Sequence, residues 1–192
     1  MSQKDERKKM YYIALLCASI IIIIAEGILI KHTDIGVDEV FSYGLSNHTF
    51  VDTIEMKPQD GYVYQKGIEP FVEYMAVQKD GRFQYANVWK NQSEDVHPPL
   101  YYAILHTICS FFPMSISRWY AGSINIVFLL MTLIVSINLI FHLTRDRKIS
   151  IIFSLFFATS SFMLNTATFL RMYSMATVSY THLRAHETRR HL

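Results

Sequence analysis

The chain has little of what staples small secreted domains or draws nucleic acid. Its 192 residues carry a formal charge of only +2, so no global basic bias points to a nucleic-acid partner. Only two cysteines occur, Cys17 and Cys109, and both lie inside apolar stretches, which excludes a disulfide framework or a CxxC metal site. Five prolines and seven glycines are too few for a low-complexity linker. Apolar residues, by contrast, make up 51% of the chain. They are gathered into runs rather than spread periodically, which points to membrane spans.

The first run covers residues 11–30 and is broken only by Glu26. Its length of about 20 residues crosses about 30 Å of hydrocarbon. Lys4, Arg7, Lys8 and Lys9 precede it and place the N-terminus in the cytoplasm. A signal peptide is the rival reading, but the run is longer than an h-region and no small-residue cleavage pattern follows it. A retained anchor is expected. An intramembrane carboxylate such as Glu26 is by default a functional candidate, but its position about one turn from the outer end puts it within reach of interfacial water.

Residues 31–97 are polar with scattered aromatics, too long for a structureless loop, and are expected to form a small extracytoplasmic module. Segments 71–77 and 82–89 flank Lys79-Asp80-Gly81 in a hairpin pattern, although Phe71-Val72-Glu73-Tyr74-Met75 reads equally as helix. Asp34, Asp52 and Asp60 read as solvated loop charges.

The apolar stretch 98–112 is short for a span, is headed by Pro98 and Pro99, and is closed by Pro113. If it crossed the membrane, Arg145, Arg147 and Lys148 would fall outside. If it lies along the outer surface they become cytoplasmic, as the positive-inside rule favours. The expectation is a juxtamembrane helix at 98–112, an inward span at 119–143, a cytoplasmic turn at 144–148 and an outward span at 149–168. The expected fold is therefore mainly α, a multi-pass helical bundle of the cell membrane with an extracytoplasmic module. Its divisions are 1–30, 31–117, 118–177 and 178–192. On this topology Asp38, His97 and Arg171-Met172-Tyr173 emerge on one face.

Residues 178–192 (VSYTHLRAHETRRHL) change composition abruptly, with three of the eight histidines and three arginines. His182, His186 and His191 have loose spacing and no carboxylate partner but Glu187, a poor match to a metal site. The stretch resembles translated sequencing adapter, which implies an artefactual tail and a natural chain that continues past Thr177 with more spans.

Asp38-Glu39 just after the first span, Asp95-Val96-His97-Pro98-Pro99-Leu100-Tyr101-Tyr102, and Arg118 opening a span resemble the GT-C glycosyltransferase fold. They are most similar to bacterial relatives of the protein O-mannosyltransferases and aminoarabinose lipid A transferases (glycosyltransferase family 39). Phe169-Leu170-Arg171-Met172-Tyr173-Ser174 resembles the Arg-x-Tyr segment after the third span of many such enzymes. The resemblance covers residues 1–177, the N-terminal third or so of such an enzyme, so this fragment alone would be inactive.

The resemblance implies transfer of a sugar from a polyprenyl-phosphate donor to an extracytoplasmic acceptor of unknown kind, at a bilayer and with no nucleic acid. It puts Asp38 in the role of base toward the acceptor hydroxyl, with Glu39 orienting acceptor or base. Arg118 and Arg171 are the candidates to neutralise the leaving phosphate, since guanidinium forks match phosphate oxygens. His97 would donate to phosphate or acceptor. Tyr101, Tyr102 and Trp119 suit an interfacial belt and contact with sugar or prenyl chain, and Tyr173 belongs to the substrate-binding set. No cofactor is certain, and a divalent metal stays open.

Each residue also has a plainer role. Asp38-Glu39 suits a cap on a helix over 40–45, His97 a polar helix cap, and Arg118 and Arg171 snorkelling anchors. Two rival functions follow. One is a non-enzymatic membrane protein with a binding or sensing module outside. The other is a transporter fragment in which Glu26 lines an ion path, which requires Glu26 to face other polar groups inside the bundle.

Overall fold

The computed structural model describes residues 3–48, 69–95 and 97–191, and Asp52, Asp60 and Val96 lie outside this set. The chain is mainly helical, with no strand among the described residues. It divides into two units, residues 1–33 with 122–192 and residues 34–121.

The first unit begins with α1 (Gln3–His32), of which Lys8–His32 is long and apolar enough to cross a membrane. A second such helix is α6 (Arg118–Thr144), whose first four residues belong to the other unit. The expected spans at 11–30 and 119–143 fall within these two helices. Arg145, with φ 55°, sits in the left-handed region and its N–H bonds Phe141 O, so α6 ends in a one-residue αL stop. Asp146 then caps α7 (Arg147–Thr159), its Oδ1 accepting from the Lys148 N–H at 2.7 Å.

The third expected span is not one helix. It is α7 followed by α8 (Ser161–Thr168), bent by 49° at Ser160, whose extended backbone (ψ 114°) breaks the ladder. Thr159 Oγ1 turns back on Leu155 O and Phe156 O, which occupies the last carbonyls of α7. Ala18 and Ile22 of α1, Leu129 and Leu133 of α6, Phe157 of α7 and Ala167 of α8 form the core. The outward faces stay apolar, as at Ile24 and Val127, which suits lipid as solvent. The final helix, α9 (Tyr173–His191), runs without interruption through the segment read as an artefactual tail.

The second unit packs α2 (Val37–Asn47) against α3 (Glu69–Met75), α4 (Tyr85–Glu94) and α5 (Pro99–Phe111). The hairpin pattern is corrected here. Gly81 does make a turn, donating to Gln78 O, but helices flank it rather than strands. Tyr74, Met75, Ala76 and Val77 are consecutively buried, so no two-residue alternation exists to support a half-buried strand. At Gly44 of α2 an added Cβ would overlap the Tyr74 ring, so the helices approach as closely as glycine permits. α5 begins with Pro99 inside its first turn, where the missing N–H costs nothing.

Candidate functional site

The N-terminus of α2 carries a cluster of charged side chains. Asp38 and Glu39 lie in the first helical turn, where negative charge complements the backbone amides. Asp38 is exposed, whereas Glu39 retains 3% of its surface. Glu39 Oε2 accepts from the Gly36 N–H at 2.7 Å and from Arg118 Nη1 at 2.8 Å. Arg118 Nη1 also donates to Asp34 O at 2.6 Å. One carboxylate thus closes the α2 terminus and holds the guanidinium that opens α6. With side chains only 10% and 4% exposed, Arg118 and Glu39 form a buried ion pair, which survives because each partner makes further hydrogen bonds.

Tyr43 ties the same region together. Its hydroxyl donates to Ser117 O at 2.7 Å and accepts from the Ala121 N–H at 3.1 Å. Burial pushes its pKa well above the ordinary tyrosine range. Tyr101 and Tyr102 depart from expectation. They retain 0% and 1% of their surface, because positions 101, 102, 105, 106 and 109 form the face of α5 that packs on the rest of the unit. Neither ring therefore belongs to an interfacial belt. The Tyr101 hydroxyl has no hydrogen-bond partner among the described residues, and burial holds its pKa well above the usual value.

His97 Nδ1 pairs with Asp95 Oδ2 at 2.7 Å, both side chains partly exposed. It does not cap α5, whose cap position is Pro98. A second histidine escaped the sequence reading. His106 is 2% exposed, with Nδ1 3.3 Å from Asn47 Oδ1 and Nε2 without a partner among the described residues. Burial lowers its pKa. The nearby Cys109 thiol is pushed up to about 11, also by burial, and is therefore inert as a thiolate. The available signal was the four-residue spacing from Tyr102 to His106, which puts both on one helix face.

Arg171 and Tyr173 belong to the other unit. Arg171 is half-buried in the turn after α8, its N–H on Phe169 O at 2.7 Å and its guanidinium 5.6 Å from the Tyr173 ring centre. Asn125 of α6 braces this turn, donating to Ala167 O at 2.8 Å and Phe169 O at 2.9 Å. Glu26 is not at a watered edge as its depth suggested. It is fully buried, accepts from Thr168 Oγ1 at 3.1 Å, and its Oε1 has no partner among the described residues.

Of the expected site residues, the fold brings Glu39 and Arg118 into contact, next in sequence to Asp38, while His97 is engaged by Asp95. No group of three or more His, Cys, Asp or Glu side chains suited to a metal gathers among the described residues. In the tail, His182 and His186 lie one turn apart with Nε2 atoms 3.1 Å from each other and no third ligand beside them among the described residues. The chain matches no protein-family model, no curated protein and no solved structure.

Proposed function

We propose that the chain is part of a GT-C-type, family-39-like membrane glycosyltransferase that moves a sugar from a polyprenyl phosphate to an extracytoplasmic acceptor. The observation that carries the reading is the fixed Glu39–Arg118 fork beside an exposed Asp38 at the mouth of a helix. In this reading α1 runs outward from a cytoplasmic N-terminus, α6 returns inward, and residues 34–121 lie outside. The acceptor hydroxyl oxygen attacks the anomeric carbon as its proton passes to the Asp38 carboxylate. The bond from that carbon to the phosphate oxygen breaks, and its electron pair stays on the phosphate. Arg118, oriented by Glu39, offsets that charge. His97 donates a hydrogen bond, its other nitrogen fixed by Asp95.

The test is sugar transfer by the complete gene product from a polyprenyl-phosphate sugar, comparing Asp38→Ala with wild type. Loss of general-base help lowers turnover about 10²–10⁴-fold. Undiminished transfer removes Asp38 as the base.

One observation favours a second reading, a transporter. Glu26 faces Thr168 inside the helical bundle, as an ion path requires. Cation or proton flux in proteoliposomes that disappears in Glu26→Gln, in a protein without sugar transfer, would decide for it.

A further inference from the structure

Phe83, Phe111, Phe112 and Met114 expose 40%, 63%, 52% and 50% of their surface, a concentration of large apolar side chains at the C-terminal end of α5. The group is organised. Phe83 meets Phe111 edge to face at 5.4 Å, and Phe112 stacks on Tyr120 at 5.2 Å. Two members are held in a backbone conformation that side chains resist. Phe83 has φ 58° and Met114 φ 60°, in the left-handed region that bulky side chains rarely adopt unless the surroundings impose it. Hydrogen bonds impose it, from Phe83 N to Ser110 Oγ at 3.0 Å and from Met114 N to Val77 O at 2.9 Å. Glycine would occupy either position at less cost, yet both carry bulky apolar side chains aimed outward.

Chain continuity keeps the patch close to the start of a membrane-length helix. Met114 lies four residues before Arg118, so it lies within about 14 Å of the start of α6 by backbone reach. α6 has 27 residues and is about 40 Å long, more than the hydrocarbon thickness of about 30 Å, so its first turn stands among headgroups. Arg82, 5.5 Å from the Phe83 ring centre and bonded to Ser110 O, adds a long cationic side chain of the kind that lies along apolar surface with its charge among headgroups.

We propose that this aromatic end of α5 inserts into the bilayer at the boundary between headgroups and acyl chains. The membrane contact of the helix is thereby confined to its last turn and the following 112–114 segment, while Tyr101 and Tyr102 remain inside the protein.

The test uses the full chain in phosphatidylcholine proteoliposomes. A single tryptophan is placed by Phe111→Trp in a Trp89→Phe, Trp119→Phe background, with Phe83→Trp in the same background as a second probe. Lipids brominated near the headgroup end of the acyl chain should lower the fluorescence of each probe about twofold or more, while aqueous iodide leaves it nearly unchanged. Quenching by iodide with none from bromolipid overturns the proposal. So does shielding from both quenchers, which would mean protein covers the patch. A mass in detergent twice that of the chain would then name the cover as a second copy.

Discussion

The two units fill their interiors by different means. Residues 34–121 are held by long-range directional bonds: Glu39 to Arg118, Tyr43 to Ser117 and Ala121, Asn47 to Met75, and Asn91 to Leu45 and His48. The unit formed by 1–33 and 122–192 has an aliphatic and aromatic core into which a few long-range polar bonds are set, such as Thr168 to Glu26 and Asn125 to Ala167 and Phe169. In water, apolar burial drives folding and polar bonds specify the partner surfaces. In a bilayer the outside is as apolar as the inside, so small residues and occasional polar contacts choose which helix faces meet. Asn125 and Glu26 both act on the C-terminal end of α8, away from the bend at Ser160.

The sharpest way to break this contrast is Arg118→Ala. It leaves the Glu39 carboxylate buried without its counter-ion, and losing one partner of such a pair costs about 3–5 kcal/mol. Hydrogen exchange should show lost protection concentrated in α2 and the other helices of 34–121. Gly44→Ala comes next. The new methyl meets the ring of Tyr74, a side chain 4% exposed with little room to yield, and overpacking costs about 1–3 kcal/mol. The melting temperature of that unit should fall despite the better helix propensity of alanine.

Acid provides a third discriminator. The folded His106 pKa lies below its ordinary 6.5, so its contribution to stability is complete above that value and is lost as pH falls through the lowered folded pKa. Melts between pH 7.5 and pH 5 should show weakening of unit 34–121 that His106→Gln largely removes. The smallest effect belongs to the bundle. Gly122→Ala brings a methyl to 2.5 Å from Ile30 Cδ1, a terminal methyl that can turn where the Tyr74 ring cannot, and should cost about 1 kcal/mol, at the low end of overpacking. A change as large as that of Gly44→Ala would show that the membrane unit is packed as tightly as the other.

The two membrane-length helices were legible in the amino-acid sequence because runs of about twenty or more mostly apolar residues leave few alternatives. The break at Ser160 was not, since serine is tolerated in membrane helices and the residues around it carry no proline or glycine to mark a stop. Segment 71–89 was ambiguous because a short apolar run satisfies strand and helix patterns alike, and packing of α3 on α2 decided it. At the candidate site, Arg118 and Glu39 were recognisable as chemically suited residues. Their mutual contact was not, because it joins positions 79 apart in the chain. Tyr101 misled because an aromatic beside a membrane-length segment suits an interface, and its burial depends on partners far away in sequence.

If the proposed lipid phosphate reaches Arg118, the double engagement of Glu39 would make the mouth of α2 an exchange point. An anion that arrives at Arg118 competes for donors already given to a carboxylate, and that carboxylate also holds the Gly36 amide. Anion affinity and the order of the first turn of α2 are therefore linked, and the linkage works equally in both directions. Loosening the turn should strengthen anion binding, and bound anion should make the Gly36 amide exchange faster with solvent.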